Sequence, residues 1–157
     1  PDSPLSEPDW VAHIATAAQS PLLLDLHNLY ANAVNFGHDP CEYLRRFPLD
    51  RVRIVHISGG HWIELNEPEY GITSRRLLDD HVHDVPDAVF AMLVELARKC
   101  PQPLTVILER DGRYPDFVLL LRQLERAREA LAEGRRSTAQ QQRNSRQQRQ
   151  PYELTAV

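Results

Sequence analysis

Paired thiols, long apolar runs and an excess of positive charge are all missing from this chain. Its two cysteines, Cys41 and Cys100, stand far apart, and neither forms a Cys-x-x-Cys pair or neighbours a histidine. That spacing argues against a zinc–thiolate site and leads us to expect two reduced structural thiols. No stretch approaches the roughly 20 consecutive apolar residues that span a bilayer, and no export signal is recognisable. The expected setting is the cytoplasm, with no membrane partner. Lys and Arg number 18 against 22 Asp and Glu, for a net charge of −4. The chain as a whole therefore exerts no pull on nucleic acid, and no such partner is expected.

Methionine is almost absent as well: the chain opens on Pro1, and its one methionine is Met92. A fragment or trimmed product of a longer chain is the expectation. With 42% hydrophobic residues in 157, it still holds the material for one core.

What is present is an alternation of strand-length apolar runs with segments of helical period, the pattern of an α/β fold with a parallel sheet. Ser6-Glu-Pro8-Asp9 reads as a capped helix start, with the first helix over about 7–18. Leu22-Leu-Leu-Asp25-Leu26 reads as a strand covered on both faces, and Arg51–Ile57 as a second. Between them, Asp39-Pro40 starts a short helix to about Phe47, and Asn28, Asn32 and Asn35 are placed in a loop. Residues 58–77, with Gly59-Gly60, Pro68 and Gly71, read as a long loop in which Trp62 and Tyr70 are expected as packed anchors, with closure over a ligand as the alternative. Residues 77–83 read as a weak third strand. A helix from Val85-Pro86-Asp87, a fourth strand Leu104–Glu109 and a helix from Pro115-Asp116 to about Glu133 complete the unit. From Gly134 the chain turns to Arg, Gln, Ser and Asn, so the expected division is a folded unit over 1–133 and a disordered polar tail over 134–157.

Each expected strand ends in side chains that bind metals. Asp25 with Asn28, His56, the run Asp79-x-His81-x-His83, and Glu109 followed by Asp111 occupy these ends in order. On a strand, Asp79, His81 and His83 would share one face by the period-two rule. In a (β/α) barrel, residues at the carboxyl ends of strands converge on one site. Imidazole mixed with carboxylate and amide oxygen suits iron, manganese or zinc. Asn32 and Asn35 are expected to serve ordinary backbone hydrogen bonding.

These residues also resemble a known family, the multinuclear non-heme iron-dependent oxidative enzymes, which includes the oxidase of methanobactin biosynthesis. Leu-Leu-Asp25-Leu-His-Asn28-Leu-Tyr-Ala-Asn32-Ala-Val-Asn35-Phe-Gly37 is similar to the family's Asp-Val-Asn-Asn segment with its following Asn-x-x-Asn-x-Gly. His56-Ile-Ser-Gly59, Asp79-Asp-His81-Val-His83-Asp-Val85-Pro86 and Leu108-Glu109 resemble its later ligand blocks, in the same order. Here His27 stands in place of an asparagine, Arg110 in place of an aromatic residue, and an extra glycine precedes His61. The resemblance implies a xylose-isomerase-like TIM barrel, of which this chain would form about the second half, four strands with their helices. It further implies two or three iron ions, dioxygen as oxidant, and a residue of a ribosomally made peptide, cysteine foremost, as the target. A partner protein presenting that peptide is implied too. The matching ligand positions are Asp25, Asn28, His56, Asp79, His81 and Glu109, with His61 and His83 as further candidates.

Two other readings start from the same residues. One is a divalent-metal hydrolase or isomerase on the same barrel, similar to sugar isomerases or to the zinc endonucleases of abasic DNA. The other is a noncatalytic half-barrel, whose open sheet edges a homodimer could close.

Overall fold

A computed structural model of the chain describes residues 4–67 and 72–148. Helix α1 spans Glu7–Ala17, and its N-cap Ser6 accepts the Asp9 N–H. Strand β1, Leu22–Asp25, passes straight into α2, Leu26–Asn35, because Asp25 is at once the last strand residue and the N-cap, accepting the Asn28 N–H at 2.8 Å. Helix α3, Pro40–Leu44, is capped by Asp39, and a short 3-10 turn leads into β2, Val52–Ile57. Strands β3, Gly60–Glu67, and β4, Ile72–Asp79, precede α4, Asp87–Lys99. Strand β5, Thr105–Leu108, and α5, Phe117–Gln148, close the order.

The sheet is parallel, in the order β1-β2-β5, with Asp25 beside His56 and His56 beside Ile107. The α/β class and the parallel sheet are therefore as the alternation implied. One face carries the core: Leu24, Val52, Val55 and Ile57 pack beneath Leu26 of α2, Leu44 of α3, and Val89, Met92, Leu93 and Leu96 of α4, all buried. The opposite face presents Leu23, Ile54 and Ile107 to solvent, between 36% and 50% exposed. Cys100 is buried and Cys41 partly so, both free thiols, and burial pushes Cys100 up to about 11.

Several sequence expectations need correction. The stretch 58–77 is no loop: β3 and β4 form an antiparallel hairpin, paired from Gly60 with Asp79 to Glu67 with Ile72. Its glycines and single proline read as breakers, whereas Gly60 serves close packing; a Cβ there would lie 1.9 Å from Leu78 O and 2.4 Å from His27 Cε1. Tyr70 lies outside the described residues, and Trp62 stacks under the Arg75 guanidinium, whose carbon lies 4.5 Å from the ring centroid. The third strand ends at Asp79 and belongs to this hairpin, outside the parallel sheet, so 77–83 does not add a fourth parallel strand. His81 has φ 56, so Asp79, His81 and His83 do not alternate along a strand.

Asn28, Asn32 and Asn35 lie on α2, whose Leu26, Leu29 and Ala33 keep a helical spacing towards the core. The asparagines mask this period because they occupy the polar face. Helix α5 runs on past Glu133 to Gln148, where composition alone indicated an unfolded tail from Gly134. Gly134 lets α5 approach α4 closely, since a Cβ would lie 2.3 Å from Val94 O, and Thr138 Oγ1 donates to Arg98 O at 2.8 Å. Gln, Arg and Ala are good helix formers once such an anchor exists. Residues 149–157 lie outside the described ones.

Two leucines on opposite faces of this architecture should respond differently to truncation. Leu93→Ala, in the fully buried core, is expected to cost about 2–5 kcal/mol. Leu23→Ala, on the open face, is expected to stay within about 0.5 kcal/mol. Urea unfolding of both variants measures this, and equal costs would refute the assignment of the two faces.

Candidate metal centre

The parallel register sets the first three groups. Asp25 and His56 are lateral neighbours, and Glu109 follows β5, its N–H donating to Ile57 O at 2.9 Å. His56 Nδ1 lies 2.8 Å from Glu109 Oε2. The hairpin delivers the rest. Asp79 ends β4, and the left-handed turn at His81 folds that imidazole back over the sheet ends. His81 Nε2 lies 3.0 Å from Asp79 Oδ1 and 3.9 Å from Asp25 Oδ2, while its Nδ1 lies 3.5 Å from both Glu109 Oε2 and Asp111 Oδ2.

Asp25, His56, Asp79, His81 and Glu109 thus meet in overlapping groups. Potential ligand atoms of Asp25, His56 and Glu109 lie within 4.8 Å of one another, as do those of Asp25, Asp79 and His81, and of His81, Glu109 and Asp111. Asn28 sits at the margin, its Nδ2 donating to Asp79 Oδ2 at 3.3 Å. Asn32 donates in turn to Asn28 Oδ1 at 3.3 Å. Asn35 faces elsewhere: it donates to Leu77 O and accepts the Leu77 N–H, both at 2.9 Å, fastening α2 to β4 as another strand would. His61 and His83 are not in these groups; they gather around Asp80.

Sequence reasoning treated His27 as a departure from a pattern and gave it no role. The structure buries it completely, with Nδ1 2.7 Å from Asp79 Oδ1. Its Nε2 is buried without a hydrogen-bond partner. A buried imidazole holding a carboxylate from behind orients that carboxylate towards the site. Ser58, also buried, donates to the same oxygen at 3.3 Å. The signal available in sequence was the position of His27, two residues past the aspartate that ends an apolar strand.

Electrostatics fit a cation. Burial pushes the Asp25 carboxyl above its ordinary value, and the charges of Asp79 and Glu109 add to the rise, against the opposing Asn28 N–H. Burial acts the same way on Asp79, but hydrogen bonds from His27 and His81 outweigh it and hold that carboxyl low. Burial would depress His81, yet Asp79 first, then Glu109 and Asp25, hold it above its usual range. Several carboxylates around one imidazole repel one another, and a divalent ion relieves that repulsion. Two imidazoles with carboxylate oxygens suit iron, manganese or zinc, and the free thiols Cys41 and Cys100 take no part in these groups.

Comparison with known proteins shows what the chain is similar to. The family described as RiPP precursor modification enzyme MbnB/TglH/ChrH matches residues 1–132. A UPF0276 protein of Caulobacter vibrioides is 35% identical over 134 residues, 85% of this chain and 44% of the relative. UPF0276 proteins of Shewanella amazonensis and Anaeromyxobacter sp. are 30% and 32% identical, over 84% and 80% of this chain and 44% and 41% of their own lengths. The chain thus spans less than half the length of these curated relatives.

Asp25 supplies a test of the cation argument. Its folded titration point lies above 3.8, so its contribution to stability is fully present below 3.8 and is lost as pH rises through the raised value. In metal-free protein at neutral pH, Asp25→Asn is therefore expected to raise the thermal midpoint, by no more than a few degrees. The same variant is expected to lose the rise in midpoint that added metal gives the wild type. A lower midpoint for metal-free Asp25→Asn would contradict the argument.

Proposed function

Because the chain belongs to the MbnB/TglH/ChrH family of RiPP precursor modification enzymes, we propose that it supplies part of a multinuclear iron centre that uses dioxygen to modify a ribosomally made peptide. Cysteine is the foremost candidate for the modified residue. The observation that carries this reading is the meeting of Asp25, His56, Asp79, His81 and Glu109, from four segments, in overlapping groups of three whose candidate ligand atoms lie within 4.8 Å of one another. Iron held there supplies electron transfer to dioxygen, which no side chain of the site can provide. The matched relatives extend well beyond the length of this chain, and the proposal includes further ligands and strands that complete a barrel around the open sheet face. A partner protein that presents the peptide belongs to the same proposal.

Within the chain the residues divide by role. Asp25, Asp79 and Glu109 hold the ions through charge, and His56 and His81 complete the donor set. His27 and Ser58 keep Asp79 in place, so that its carboxylate does not rotate away from the site. Asn28 offers an amide at the margin of the ligand groups. Asp111, 64% exposed, marks the solvent side of the cluster, the side open to an arriving peptide. Among the described residues no helix is long and apolar enough to cross a membrane.

Elemental analysis of protein purified without oxygen tests the proposal. Iron above about one equivalent is expected, falling several-fold in both His81→Ala and Glu109→Ala, since each substitution deletes a ligand shared between groups. With the complete protein, exposure of a cysteine-containing precursor peptide to oxygen should then change the peptide's mass. Zinc in place of iron, together with phosphodiester cleavage, would overturn the oxidative reading in favour of a hydrolase.

A further inference from the structure

We propose that His61, Asp80 and His83 form a second divalent-cation site, distinct from the centre above and complete within this chain. The hairpin creates it. Asp79 and Asp80 are consecutive and project to opposite sides: Asp79 towards His27 and the iron-type ligands, Asp80 towards His61 at the start of β3. The turn at His81, fixed by its N–H donating to Gly59 O at 3.0 Å, brings His83 back to the same carboxylate. His61 Nδ1 lies 2.6 Å and His83 Nδ1 2.9 Å from Asp80 Oδ2, and the two rings stand 4.9 Å apart at 40°. The Val82 N–H occupies Asp80 Oδ1 at 3.0 Å and so keeps Oδ2 turned towards both imidazoles.

Two imidazole nitrogens and one carboxylate oxygen gathered at one point are the donor set of zinc and of its first-row neighbours iron(II), cobalt(II) and nickel(II). His61 is 44% exposed, so the remaining positions around an ion open to water. None of the three residues belongs to the groups formed by Asp25, His56, Asp79, His81, Glu109 and Asp111. The site therefore does not rest on the oxidative reading and needs no residue from outside the chain. Arg113 Nη1 lies 3.3 Å from His83 Nε2. A guanidinium can only donate, so this contact requires a bare Nε2, with the ring proton on Nδ1. A cation at Nδ1 moves the proton to Nε2 and displaces Arg113, which makes Arg113 a competitor of the ion.

Zinc titration calorimetry against a competing chelator tests the site, using the full chain with Asp25→Asn and Glu109→Ala, which together break all three ligand groups of the first centre. One equivalent of zinc is expected. Affinity should fall in His83→Ala and in the shape-conserving Asp80→Asn by more than the roughly 10–100-fold that loss of an outer hydrogen-bond partner costs a metal site. Arg113→Ala should tighten binding several-fold. In long-range nitrogen–proton spectra, zinc should shift Nδ1 of both His61 and His83, a readout that a merely structural hydrogen bond to Asp80 would not produce. No zinc bound in the disabled background, or binding indifferent to Asp80→Asn and His83→Ala, would overturn the proposal.

Discussion

The Asp79 carboxylate joins two pieces of structure that share no strand pairing. It terminates the β3–β4 hairpin, yet it receives His27 and Asn28 from α2, Ser58 from the end of β2, and His81 from the following turn. A carboxylate this deep would be costly to desolvate without such donors. Once it is held, the hairpin can sit only where its end meets the carboxyl ends of β1 and β2, and the position of His81 follows. Asn35 reinforces the docking by pairing with the backbone of Leu77. The ligand cluster is thus a consequence of how an antiparallel hairpin is pinned to a parallel sheet.

The division of the sheet into a covered and an open face accords with family membership. Leu24, Val55 and Ile57 point into the helical layer, while Leu23, Ile54 and Ile107 point the other way, on the same side as Asp25, His56 and Glu109. A row of aliphatic residues beneath a row of carboxylate and imidazole side chains is what the inside of the proposed (β/α) barrel would present. The relatives are more than twice as long as the matched stretch, so material to cover this face exists in them. The second cluster, around Asp80, lies on the other side of the hairpin end and uses none of that face.

Much of the architecture was legible because apolar periodicity reports burial directly. Helix α1 announces itself through Ser6 and Pro8, β1 and β2 through uninterrupted aliphatic runs, and α4 through Val89, Leu93 and Leu96 on one side. The hairpin escaped because few of its described residues are buried, so no alternation stands out, and because Gly59-Gly60, Pro68 and Gly71 read as breakers. Helix α2 escaped because its asparagines look like loop chemistry until Asp25 is recognised as a cap. The end of α5 escaped because a polar composition carries no packing signal, although Gly134 and Thr138 anchor it to α4.

The sequence by itself determined the α/β alternation, the family, and the residue types at the strand ends, since these depend on local pattern and on order along the chain. Only the tertiary structure decided which of them meet. Asp79, Asp80, His81 and His83 are consecutive or nearly so, and no periodicity distributes them correctly. A left-handed turn at His81 and the hairpin's pairing send Asp79 and His81 to one cluster and Asp80 and His83 to another. Backbone direction at a single residue, set by contacts distant in sequence, makes that choice.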